Sequence, residues 1–193
     1  MALDAGRKRM EIIITDQIVG QTHLYEKVGK QGRRAMVPTY HAIFRPFQPD
    51  YFNFAVTRDS SPTVFGEKIT RYGQKGECPP NRPDEPYLAK RNIEREGIPF
   101  SLRLFENEGD TLRGITCFPR KDILIHHGPA CSYGCFCVAG GRRGFANFRR
   151  AIEEYVEIGQ ILRVYVQERS ASHVVRKFWV RGFGCEFKKP SSP

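Results

Sequence analysis

The segment 122–144, DILIHHGPACSYGCFCVAGGRRG, holds three of the six cysteines (Cys131, Cys135, Cys137) and two of the five histidines (His126, His127). No other stretch of the chain concentrates reactive side chains in this way. A thiol attacks as its thiolate, and with an unperturbed pKa of about 8.5 only a few per cent is ionised near neutrality. A nearby imidazole removes that obstacle by taking the proton and later returning it to a leaving amine. Acyl transfer also needs backbone N–H groups aimed at the developing oxyanion, and a glycine beside the nucleophile permits the tight turn that points them inward. Ser132-Tyr133-Gly134-Cys135 supplies a glycine-preceded cysteine in a loop, and His126-His127 end an apolar strand just upstream. These parts fit a cysteine acyl-transfer centre.

Their order resembles the L,D-transpeptidase family, the YkuD-type catalytic domain: a strand, Ile-His-x-Gly, a variable loop, Ser-x-Gly-Cys, then apolar residues. Ile125, His126, His127, Gly128, Ser132, Gly134 and Cys135 carry the match. The resemblance implies a cysteine transferase or peptidase that cross-links or edits bacterial peptidoglycan. It would attack the stem peptide at the L-centre carbonyl of diaminopimelate, expel D-alanine and pass the thioester to an amine or to water. By the same resemblance Cys135 is the nucleophile. His126 is the base if Ile-His-x-Gly aligns as written, and His127 if the motif is read as His-Gly. Ser132 would shape the loop by hydrogen bonding. The amides of Tyr133, Gly134 and Cys135 would bind the oxyanion, and Arg142 and Arg143 are the nearest cations for gripping a carboxylate. No metal or cofactor is implied. The chain departs from the family pattern at Tyr133, where histidine is common, and at Cys137, where arginine is frequent. Its loop is also short, with eight residues between His126 and Cys135.

The elements that must position these residues read as mostly β (α+β), a sandwich-like or mixed-sheet domain with one main helix after the catalytic loop. Strand patterns fall at 10–15 and 18–25, with Gly20 as a bulge or turn. Residues 39–45 and 51–57 form a meander around the breaker run Pro46–Pro49. Residues 73–99 hold five prolines and read as an extended surface loop or lid with one helical turn near Tyr87–Arg95. Further strands are expected at 99–105, 112–118 and 122–126. Phe145, Phe148, Ile152, Tyr155 and Val156 recur at helical spacing, which predicts a helix over 145–158 with Gly159 as its stop. Residues 161–167 and 173–180 read as a hairpin containing His173 and Trp179, and the tail 188–193 as disordered. His41 reads as a structural strand residue and Cys78 as an incidental loop thiol.

A chain of 193 residues suits one domain, 1–193, large enough for a real core. Its net charge of +10 points to an anionic partner: nucleic acid, an acidic membrane surface or a cell-wall polymer. The basic residues are scattered and match no nucleic-acid motif, so they read as solvated faces. Cys-x3-Cys-x-Cys with the histidines offers soft ligands, but structural zinc sites use paired Cys-x2-4-Cys knuckles. A basic nucleic-acid-binding or zinc-binding protein using the Cys/His cluster structurally is therefore the alternative to the enzyme. In the enzyme reading Cys131 and Cys137 are bystanders or redox partners of Cys135. Arg7, Lys8 and Arg9 precede too short an apolar run for a signal peptide, and no run reaches the length of a membrane span. The expectation is synthesis in the cytoplasm and action in the periplasm or cell wall after specialised secretion. The protein would be an antibacterial effector or a phage-borne enzyme, with peptidoglycan stem peptides and an immunity protein as partners.

Overall fold

The computed structural model describes residues 10–28, 31–47, 49–59, 64–65, 78, 80–81, 84–92, 98, 100–106, 123–128, 134–169 and 176–181. These form strands β1 (Glu11–Val28), β2 (Gln31–Arg45), β3 (Phe52–Thr57), β4 (Tyr87–Asn92), β5 (Ser101–Phe105), β6 (Leu124–His127) and β7 (Phe136–Val138). Helix α1 (Gly141–Tyr155) and strands β8 (Leu162–Val166) and β9 (Arg176–Arg181) follow. The strand order β1-β8-β4-β5-β6-β7-β3-β2, with β2 paired back to β1, closes an eight-stranded barrel. The sheet is mixed: β1–β8 and β6–β7 are parallel and the other pairs antiparallel.

Side-chain alternation fixes what faces inward. Ile12 and Ile14 pair with Phe44 and Ala42 on one side and with Val164 and Val166 on the other. Following the register around, Ala89, Leu104, Leu102, Ile125, Phe136, Val138 and Val56 share that face. All are buried in one apolar cluster. Closing the sheet removes its edges, and filling its interior with aliphatic side chains supplies the main driving force.

The two ends of the barrel are stopped differently. At one end lies α1, whose Phe145, Phe148, Ala151 and Ile152 are buried while Arg149, Arg150 and Glu154 stay in solvent. Its Phe148 meets Phe54 of β3 and Phe100 before β5, and Tyr155 meets Phe44 at the end of β2. Arg91 of β4 ties the helix end by donating to Val156 O at 3.0 Å and pairing with Glu153 at 3.2 Å. At the other end Arg58 donates to the carbonyls of Thr15 and Gln167, joining β1 to β8. The Tyr40 ring there is flanked by the guanidinium groups of Arg58 and Arg169 at 5.4 and 5.2 Å. Arg169 also donates to Tyr40 Oη at 2.8 Å and to Asp59 Oδ1 at 3.1 Å.

The β1–β2 hairpin outgrows the barrel. Ile14 to Gly20 spans six steps of β1 while its partners Ala42 to Thr39 span three, so three extra residues bulge from β1. Such an insertion bends a strand and increases its twist. Beyond it, Leu24, Ala35 and Val37 form a second small core with Val64 and Phe65. Val37 and Ala42 are an odd number of residues apart, so the distal arm buries the opposite face of β2 from the barrel. The arm therefore packs back over the outside of the barrel, and β9 pairs along it from Gln31 to Met36.

Several expectations change. The proline-rich stretch contains β4, a barrel strand between β5 and β8, where a helical turn was expected at Tyr87–Arg95. Tyr87 and Ala89 alternate inward there, and ladder pairing on both sides overrides the local charge pattern. Strands β8 and β9 do not form a hairpin: β8 lies between β1 and β4, and β9 pairs with β2. The helix begins at Gly141, so the Gly-Arg-Arg-Gly turn is its first turn, and it ends before Gly159. Cys78 is buried in the main core. Residues 112–118, His173 and the tail lie outside the described residues.

Asp59 is 0 % and Arg169 9 % exposed in their side chains, and removing one member of such a pair strands the other charge. Asp59→Ala should cost about 3–5 kcal/mol. Urea denaturation would show this as a lower midpoint at an unchanged m-value.

Candidate active site

The motif strand β6 lies between β5 and β7, and the register aligns Ser101, His126, Cys137 and Thr57 across β5, β6, β7 and β3. Because Leu102, Ile125, Val138 and Val56 face the interior, this row lies on the outer face of the barrel. All four side chains are nonetheless buried, with relative exposures of 0 % for Ser101, 7 % for His126, 1 % for Cys137 and 1 % for Thr57. The hydroxyls of Ser101 and Thr57 have no hydrogen-bond partner among the described residues. A thiol and an imidazole thus sit in a covered polar row, outside an interior that is otherwise apolar.

His126 is held in a defined state. Its Nδ1 lies 2.7 Å from the backbone oxygen of His127, and a carbonyl can only accept, so Nδ1 donates. In the neutral ring this leaves Nε2 with its lone pair. Nε2 lies 3.9 Å from Cys137 Sγ, a long contact within reach of sulfur. A base oriented by a third group, with its unprotonated nitrogen toward a thiol, is the arrangement that activates a cysteine.

Gly128 allows this approach. A Cβ built there would fall 2.8 Å from Cys137 Cβ, so only glycine lets the chain leave β6 against β7. Cys135 stands just before β7, half-buried, after Gly134 at φ 109°. The turn out of β7 passes through Gly140 (φ 87°) and Gly141 (φ 62°), a left-handed pair that turns the chain directly into α1.

His127 occupies the opposite face. It packs edge-on to Phe145 of α1 with ring centroids 4.9 Å apart, and its Nε2 has no partner among the described residues. Burial, and secondarily the charge of Arg142, hold its pKa below the usual value of 6.5. The structure therefore separates the two histidines: His126 faces the Cys137 thiol and His127 faces the helix.

Arg142 and Arg143 project into solvent from the first turn of α1. Ser132, Tyr133 and Cys131 lie outside the described residues. Thr57 and Ser101, which the sequence did not single out, enter the site through strand register alone. Their only local signal was a polar residue beside apolar ones in β3 and β5. Among the described residues no group of three or more His, Cys, Asp or Glu could hold a metal, and no helix is long and apolar enough to cross a membrane.

Because the folded pKa of His127 lies below its unfolded value, the unfolded chain binds more protons between the two. The stability contributed by neutral His127 is complete above about 6.5 and is lost as pH falls toward the folded pKa. An NMR titration should place His127 below the ordinary histidine range, and Arg142→Gln should move it part of the way back. A normal pKa in the unmodified protein would contradict the burial described. Comparison with family models, with curated proteins and with solved structures gives no match to this chain.

Proposed function

We propose that this protein transfers acyl groups through a thioester on Cys135, as an L,D-transpeptidase or L,D-carboxypeptidase acting on peptidoglycan tetrapeptide stems. One observation carries the reading: His126, whose Nδ1 is bonded to His127 O, presents Nε2 to Cys137 of β7, two residues after Cys135. Of Cys135 and Cys137, the latter is 1 % exposed and packs closely against Gly128. Cys135 is the more open and follows a glycine at positive φ. The Ser-x-Gly-Cys resemblance falls on the same residue. A net charge of +10 suits an anionic wall polymer.

In the reaction, His126 Nε2 takes the Cys135 proton as Sγ bonds to the stem carbonyl carbon. The imidazolium keeps its Nδ1–H bond to His127 O, so the ring does not turn as it becomes charged. The amides of Gly134 and Cys135, next to the forming bond, are the candidate donors to the oxyanion. Collapse of the tetrahedral adduct breaks the C–N bond, and His126 returns the proton to the departing amine. An incoming amine or water then attacks the thioester with His126 again accepting a proton, and the Cys135 thiol is restored.

Incubation with muropeptides bearing tetrapeptide stems, followed by mass spectrometry, tests this. D-alanine loss, or exchange with added D-amino acids, should be abolished in Cys135→Ala and reduced about 10²- to 10⁴-fold in His126→Ala. Cys137→Ala should retain most of the rate. Wild-type turnover in Cys135→Ala would sink the assignment.

A further inference from the structure

The contact between Cys137 and His126 has the features of a ligand pair for a metal ion. His126 Nδ1 donates to His127 O at 2.7 Å, and Nε2 lies 3.9 Å from Cys137 Sγ. A histidine that binds a metal through one ring nitrogen typically donates the other N–H to a carbonyl or carboxylate, which fixes the tautomer and the ring plane. Metal bonds of about 2.3 Å to sulfur and about 2.0 Å to nitrogen set such donors roughly 3.5 Å apart at a tetrahedral ion and roughly 4.3 Å apart at a linear one. The observed 3.9 Å falls inside that range. The pair is enclosed, with Cys137 1 % and His126 7 % exposed. The row that contains it, Ser101, His126, Cys137 and Thr57, has no carboxylate. Among the described residues no group of three or more His, Cys, Asp or Glu could hold a larger coordination set. Cys137 also borders, with Gly128 and Gly141, a cavity of about 100 Å³, room for a few waters at roughly 30 Å³ each.

These features select the kind of ion. Structural zinc takes a closed tetrahedral set of ligands, and calcium and magnesium take several oxygens, so two enclosed donors of which one is a thiol match neither. Thiolate suits soft cations such as copper(I). Charge points the same way. A thiolate and a neutral imidazole together carry one negative charge, so a monovalent ion leaves the buried pair neutral, whereas a divalent ion leaves a buried positive charge. We propose that Cys137 and His126 bind a soft monovalent metal ion, copper(I) or silver(I), between Sγ and Nε2. The ion takes the place of the thiol proton. The S–H bond breaks, bonds from the ion to Sγ and Nε2 form, and one proton passes to solvent for each ion bound. No electron is transferred. Cys135 takes no part, and the site does not depend on the acyl-transfer reading. While the ion is bound, Nε2 cannot accept a proton.

The test uses the full chain, its histidines labelled with the heavy nitrogen isotope, and silver(I) nitrate in chloride-free buffer as probe. Silver nuclei have spin one-half, so a bound ion splits the NMR resonance of the nitrogen that holds it. As silver is added, the His126 Nε2 resonance should shift and split while that of His127 stays unsplit, and one proton should be released for each ion that produces the splitting. The splitting should be lost in Cys137→Ala and retained in Cys135→Ser. Zinc sulfate at equal concentration should leave it in place. Silver that binds the chain with the His126 resonance unsplit overturns the proposal, as does splitting that survives in Cys137→Ala. Displacement by zinc overturns the assignment to a soft monovalent ion. The splitting is read on the unmodified chain, so it decides the matter even where Cys137→Ala does not fold. Absence of muropeptide turnover would overturn only the acyl-transfer reading, and an unsplit His126 resonance would overturn only the metal site.

Discussion

The parallel pairing of β6 with β7 is the constraint on which the outer face of the barrel depends. Parallel neighbours ordinarily need a crossover of about a dozen residues or more, and here the connection is 128–135. Such a connection leaves little freedom in register. A slip of one residue would exchange the two faces of the strand, sending His126 into an aliphatic interior and Ile125 out. Apolar burial of Ile125, Phe136 and Val138 opposes that exchange from inside. From outside, the missing side chain of Gly128 makes room for Cys137, whose Cβ would lie 2.8 Å from a Cβ placed there. The contact between imidazole and thiol is thus a consequence of barrel packing, without any strong bond of its own.

Much of this was legible from the sequence and some was not, for identifiable reasons. The apolar spacing of Phe145, Phe148 and Ile152 marks the buried side of α1 because helix periodicity is a local property. Its start was misread by four residues because Gly140-Gly141-Arg142-Arg143-Gly144 looks like a turn in isolation; two of those glycines make the turn, and the helix begins inside it. Strand β4 was hidden by the prolines around it, since its burial comes from β5 and β8, far away in sequence. The pairing of β8 and β9 was misassigned on proximity, whereas closure of the barrel hands β8 to β1. In the site, the motif marked His126 and the cysteines. Thr57 and Ser101 join them only through register across four strands, which no single stretch of chain encodes.

The polar row also carries a cost that the rest of the barrel does not. Its two terminal hydroxyls are buried without partners among the described residues, and each such group costs about 1–3 kcal/mol of desolvation. Valine or alanine at these positions would suit the fold better. Natural interiors rarely leave polar atoms unsatisfied, so each such group calls for a physical reason. The barrel tolerates the cost because both ends are stopped, by α1 and by the Arg58–Tyr40–Arg169–Asp59 cluster.

The charges on α1 extend the same logic. A helix is stabilised by acidic residues in its first turn and basic ones in its last, each worth about 0.3–1 kcal/mol. Here the order is reversed: Arg142 and Arg143 stand in the first turn, Glu153 and Glu154 in the last. At the C-terminal end the reversal is offset, because Glu153 pairs with Arg91 and Arg149. At the N-terminal end no acidic residue of the turn offsets it, and two cations reinforce the positive end of the dipole. That end borders the cavity beside Cys137, and its charge helps to hold His127 neutral. An arrangement unfavourable to the isolated helix is favourable wherever negative charge collects next to it. Under the proposed acyl-transfer reading, a cysteine thiolate and the oxyanion of its tetrahedral adduct would be such charges.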